Sequence, residues 1–178
     1  MSVPVLRTPR LTLRGIEPSD LDALVAVFAN PAMSEFLASD FTDPAQVAEM
    51  VAARVGSVDP PGMGHWVFEY QGVVAGVGHL HPSKGLPGDL PEIAYYFDRA
   101  HAGQRLGAEA AEALVRYGFH TLGLRSVWAL IHESNVASRN LARRLGFLDV
   151  GGEIHYGRPH RVTVAFPVPH GRPSPAGR

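Results

Sequence analysis

The sequence predicts one α+β domain built on a central mixed, mostly antiparallel sheet flanked by helices. Strand-like and helix-like periodicities follow one another in a mixed order: strand, two helices, hairpin, strand, helix, strand, helix, strands. A chain of 178 residues with 46% apolar and 19% charged side chains is also large enough for one substantial core. No repeat or linker divides it. The folded domain is expected over residues 1–168, and residues 169–178, PHGRPSPAGR, are expected to be a disordered tail without core signal.

Residues 10–14, RLTLR, alternate with the period of a strand. Glu17-Pro18-Ser19-Asp20 supplies helix-start chemistry ahead of the apolar stripe Leu21, Leu24, Val25 and Phe28, and Asn30-Pro31 ends that helix. Asp43-Pro44 is an N-cap followed by proline at the first helical position, with Val47, Val51 and Val55 on one face. His65–Tyr70 and Val73–Leu80 form a hairpin about Gln71-Gly72. A Pro/Gly-rich loop over residues 81–91 leads to the strand Glu92–Phe97. Gln104 to about Leu122 is helical, with Leu106, Ala110, Ala113, Leu114 and Tyr117 inward and Glu112 and Arg116 outward. Ser126–His132 is a strand, and Val136–Arg144 is a helix closed by Gly146. Glu153–Tyr156 and Val162–Val168 complete the sheet as an antiparallel pair around Gly157-Arg158-Pro159.

A formal net charge of -1 gives no general attraction to nucleic acid or to an anionic membrane. No apolar run reaches the length of a membrane span and no signal-peptide core is present, so a cytoplasmic chain is expected. The absence of cysteine excludes disulfides, thiolate metal sites and a Cys nucleophile. The histidines show no His-x-x-x-His spacing and no acidic pairing, so no metal site is expected.

The densest chemical signal is residues 101–114, HAGQRLGAEAAEAL. A glycine-bearing turn with Gly103 and Gly107 follows a strand and opens into a helix. Such a turn aims free backbone N–H groups and the positive end of the helix dipole at one point, a site for an anion and above all a phosphate. Asn135-Val136-Ala137-Ser138 follows, leading to Leu141 and Leu145-Gly146-Phe147.

These motifs, with the opening TPRLTLRGIEPSDLDALVAVFANPAMSEF at residues 8–36, resemble the GCN5-related N-acetyltransferases, and within them the ribosomal-protein-acetylating subgroup. The resemblance runs to about residue 168, and Glu109-Ala110 falls where the subgroup usually carries Glu-Ala. It implies acetyl-CoA as cosubstrate and an amine acceptor, a protein N-terminus or a small-molecule amine. By resemblance Gly103, Gln104, Arg105, Leu106, Gly107 and Ala108 hold the pyrophosphate, and Phe97 gives backbone contacts to the acetyl carbonyl and pantetheine. Asn135 meets the pantetheine arm as well as capping a helix. Arg139, Arg143 and Arg144 are candidates for the adenosine 3′-phosphate, although one solvated helix face accounts for at least two of them. The family loop places glycine most often where this chain has Arg105, whose guanidinium is expected to fold over the phosphates instead.

Two residues are expected to move protons. Glu92 is either a half-exposed strand carboxylate or the general base that takes the acceptor's proton, directly or through water. Ser138 is placed to protonate the departing thiolate. Tyr95 and Tyr96 alternate faces, so one is core and the other lines the cleft. His132, at the end of its strand beside Asn135, is the alternative base. The amine attacks the thioester directly, so no enzyme nucleophile is needed. The rival expectation is a catalytically silent acyl-CoA-binding or interaction module on the same fold. Oligomeric state is left open, a homodimer included.

Overall fold

One eight-stranded sheet organises the molecule. The structure is a computed structural model and describes residues 3–30, 35–37, 41–57 and 60–168. The expected tail at 169–178 and the helix stop at Pro31 lie outside the described residues. The strands are β1 (Leu6–Arg7), β2 (Leu11–Gly15), β3 (Gly64–Tyr70), β4 (Val73–Pro82), β5 (Pro91–Phe97), β6 (Val127–His132), β7 (Leu148–His155) and β8 (Arg158–Ala165), in the spatial order β1-β2-β3-β4-β5-β6-β8-β7. Four α-helices accompany them among the described residues: α1 (Leu21–Phe28), α2 (Pro44–Arg54), α3 (Leu106–His120) and α4 (Val136–Arg144).

Helices cover both faces of the sheet. On one face, Leu106, Ala110 and Leu114 of α3 pack against Leu11, Leu13, Trp66, Phe68, Leu80 and Ile93. On the other, Leu24, Val27 and Phe28 of α1 and Val47, Met50 and Val51 of α2 close over Val67 and Val77. Alternation along β3 sorts Trp66 and Phe68 to the first core and Val67 to the second, as a two-residue period requires. Gly76 and Gly78 of β4 leave room for the Phe68 ring, which stacks on Phe97 with centroids 5.1 Å apart.

Every neighbouring strand pair is antiparallel except β5 and β6, which run parallel and register at one residue pair, Glu92 with Trp128. Parallel neighbours need a crossover, which α3 supplies. Beyond Glu92 the two strands are no longer laddered together, and a cleft opens between them. This single break in the ladder positions the site.

The caps match the residue types that mark them. The Asp43 carboxylate accepts the Ala45 N–H at 2.9 Å, and Asn135 Oδ1 accepts the Ser138 N–H at 3.0 Å. The hairpin at Gln71-Gly72 has positive φ at both residues, 52° and 81°, the type I′ geometry that fits the twist of its strands. Three elements differ most from expectation. Helix α3 begins at Leu106 rather than Gln104, because Arg105 is left-handed at φ 60° and cannot be part of the helix. Strand β7 begins at Leu148, not Glu153. It lies at the sheet edge with most residues exposed, and a register shift between Asp149 and Gly151 breaks its alternation. Strand β8 accordingly runs Arg158–Ala165 rather than Val162–Val168, and the turn falls on Tyr156-Gly157.

Candidate active site

The loop before α3 is built from local turns. Asp98 caps a short 3₁₀ turn by accepting the Ala100 N–H at 3.0 Å. Gly103 at φ 81° and Arg105 at φ 60° then turn the chain into α3. The first amides of the helix have no carbonyl within it to bond, so the N–H groups of residues 106–108 are available to an anion at the positive end of the dipole. Gly107 lies over the Tyr95 and Phe97 rings, and a Cβ there would meet them no closer than 3.7 Å.

The turn between β1 and β2, distant in sequence, anchors this loop. Thr8 Oγ1 donates to Glu109 Oε1 at 2.6 Å, and the backbone N–H of Arg10 donates to the same oxygen at 2.9 Å. Arg10 Nε and Nη2 both reach Glu109 Oε2 at 2.7 Å, while Nη1 donates to the Gln104 carbonyl at 2.9 Å. Burial alone would raise the Glu109 carboxyl, but the hydrogen bonds from Thr8 and Arg10 outweigh it and hold it low.

The cleft between β5 and β6 is a cavity of about 590 Å³. Of the expected residues it gathers Phe97, Gly103, Arg105, Leu106, Gly107, Ala108, Asn135 and Ser138. Gln104 and Arg139 do not line it: the Gln104 carbonyl is taken by Arg10, and Arg139 Nη1 donates to the Glu133 carbonyl at 3.1 Å. Arg143 is turned to Asn140, whereas Arg144 is on the wall. Tyr95 also lines the cleft; burial pushes its phenol up, with the Ser138 side chain acting in the opposite direction. His132 is on the same wall, its ring lowered by burial and then by the nearby charges of Arg158 and His160.

A second cavity, about 710 Å³, lies under α1 and α2 and is lined by Glu92 and Tyr96 of β5 with Arg54, His65, His79 and His81. The two cavities share Phe36, Ala94, Tyr96 and Leu130 on their walls, so they meet at the middle of β5 and β6. Both tyrosines therefore line cavity walls, Tyr95 in the first cavity and Tyr96 at the junction, where it also packs against the second core.

Glu92 is 7% exposed, so the half-exposed alternative is set aside. Its Oε2 accepts a short hydrogen bond from Ser83 Oγ, which in turn accepts the N–H groups of Gly85 and Leu86 at 3.1 and 3.0 Å. Burial raises the carboxyl above the ordinary glutamate range, partly offset by the Ser83 hydrogen bond and the His155 charge. Burial likewise pushes the Tyr96 phenol up to about 12.

Sequence reasoning missed Ser83 and the histidines of the second cavity. His79-x-His81 places two rings on one face of β4, and the β3–β4 register sets His65 opposite His79. Their ring nitrogens lie within 4.8 Å of one another. The signal was present as His-x-His in a strand, but the third member comes only from the register.

Comparison with known proteins agrees with this architecture. Residues 10–148 match the model of the acetyltransferase (GNAT) domain. The uncharacterized N-acetyltransferase p20 of Bacillus licheniformis is 29% identical over 153 residues, covering 82% of this chain and 83% of p20. A GnaT-family acetyltransferase from Bordetella pertussis superposes with a TM-score of 0.76 at 27% identity, over 90% of this chain and 98% of that one. RimJ of Mycobacterium smegmatis, solved in complex with CoA-disulfide, shares the fold with a TM-score of 0.75 at 18% identity, over 93% of this chain and 87% of RimJ. No helix among the described residues is long and apolar enough to cross a membrane. A family match over most of the folded chain, on a sheet whose one parallel step opens the cleft, makes this protein a member of the GNAT acetyltransferase family and an acyltransferase.

Proposed function

We propose that the protein transfers the acetyl group of acetyl-CoA to a primary amine, on a protein N-terminus or a small molecule, by direct attack of the amine on the thioester. The observation that carries this reading is the meeting of two cavities at Ala94, Tyr96 and Leu130, with a buried carboxylate on one side only. The first cavity takes coenzyme A, a ligand whose disulfide form RimJ of Mycobacterium smegmatis was solved with. Its pyrophosphate sits on the amides of residues 103–108, with the Arg105 side chain over it. The second cavity takes the acceptor.

The residues divide the proton work by face. The amine nitrogen attacks the carbonyl carbon, and backbone N–H groups of β5 stabilise the developing oxyanion. Glu92 accepts the amine proton, and its raised pKa brings it nearer to that of a terminal α-amine, about 8. As the carbon–sulfur bond breaks, Ser138 supplies the proton that releases coenzyme A as thiol, and solvent carries the proton taken up by Glu92 back to Ser138. His132 lines the first cavity and is not on the wall of the second, where Glu92 sits.

The acceptor class is read by a thiol-release assay across terminal peptides, lysine peptides, polyamines and aminoglycosides. Release with terminal peptides or small amines is the expected outcome. Release with none of them would favour a silent coenzyme-binding module.

A further inference from the structure

From the geometry of the second cavity we infer that His65, His79 and His81 form a binding site for a divalent transition metal of the zinc class. The three rings come from two adjacent strands, and each offers a nitrogen within 4.8 Å of the others. His79 and His81 stack with centroids 4.1 Å apart, and His65 lies 4.9 Å from His81 and 5.5 Å from His79. Small rotamer adjustments bring three such nitrogens to the roughly 2.0–2.1 Å that zinc requires. A side chain of polar character without a use is costly inside a protein, and His79 Nε2 is buried with no hydrogen-bond partner. A metal ion is the acceptor of that lone pair for which the other two imidazoles are also suited.

The ligand chemistry fits. Burial, with the charges of Arg54, His81 and Lys84, pushes the His65 ring down to about 3, and burial with the neighbouring charges lowers His79 well below the ordinary imidazole range. Neutral imidazole is the form that binds zinc. Arg54 and Lys84 oppose a dication, while Glu49 and Glu92 on the same cavity wall oppose them. Three histidines fill three positions of a tetrahedron and leave the fourth open to the cavity, the pattern of a site that can take an exogenous ligand. Glu92 pairs with His81 across β4 and β5, which places the ion next to the carboxylate of the acceptor cavity.

The test is titration of Zn(II), and separately of Co(II), into the chelator-treated full chain. One equivalent should bind, with the intense visible absorption of four-coordinate Co(II). His79→Ala and His81→Ala should each weaken binding at least about tenfold, with circular dichroism confirming that each variant is folded. His155→Ala, outside the cluster, should leave binding unchanged. Absence of stoichiometric binding, or equal affinity in the wild type and in whichever of the His79 and His81 variants folds, overturns the assignment.

Discussion

Arg10 Nε donates to Glu109 Oε2 at 2.7 Å, and Nη1 of the same guanidinium reaches the Gln104 carbonyl at 2.9 Å. One side chain from the turn just ahead of β2 thus holds both the first turn of α3 and the loop ahead of it. Arg10 is 42% exposed, so Arg10→Ala should cost only about 1 kcal/mol of stability. Loosening the loop should weaken acetyl-CoA about fivefold, or ~1 kcal/mol. Calorimetry of the variant against thermal denaturation separates the two effects; unaltered affinity would show that the tie does not shape the loop.

Gly107 distinguishes space from charge. A Cβ at this position meets only ordinary contacts with Phe97 and Tyr95, so Gly107→Ala should bind acetyl-CoA nearly as the wild type does. Gly107→Asp adds a carboxylate against the phosphates and should lose at least tenfold, about 1.4 kcal/mol. Equal affinities for the aspartate and alanine variants would remove the pyrophosphate from this turn.

Arg105 carries opposing effects on one residue. Its left-handed backbone, φ 60°, costs a non-glycine residue of the order of 1 kcal/mol. Arg105→Gly should therefore raise the melting temperature while weakening acetyl-CoA and flattening the salt dependence of binding. Tighter binding by the glycine variant would mean that the guanidinium is merely tolerated.

Much of this was legible in the sequence, and most of what was not depends on partners distant along the chain. Local rules placed the I′ turn at Gln71-Gly72, the caps at Asp43 and Asn135, and the inward stripe of α3, because each depends on neighbours within a few residues. The Glu109 anchor spans 99 residues to Arg10, and the histidine cluster needs the β3–β4 register, so neither has a local signal. Strand β7 escaped for a different reason: an exposed edge has no apolar alternation to show. The burial of Glu92 follows from the packing around the second cavity, which strand periodicity cannot report.

Ser83 tunes Glu92 without touching the reacting atoms. A base works ionised, so turnover falls as pH drops through the raised pKa of Glu92. The Ser83 hydrogen bond favours the ionised form and keeps that pKa from rising further. In Ser83→Ala the acidic limb of the kcat profile should move to higher pH, with KM for acetyl-CoA little changed. A limb that stays in place would detach Ser83 from the base.

The account rests most heavily on Glu92 as the base of an amine acetylation. Steady-state thiol release, with the acetylated product verified by mass, should show kcat of Glu92→Gln reduced at least about tenfold, with KM for acetyl-CoA within about twofold of wild type. Wild-type turnover in Glu92→Gln would contradict the assignment of the base, and a wild-type protein that binds acetyl-CoA but acetylates no amine would contradict the proposed reaction.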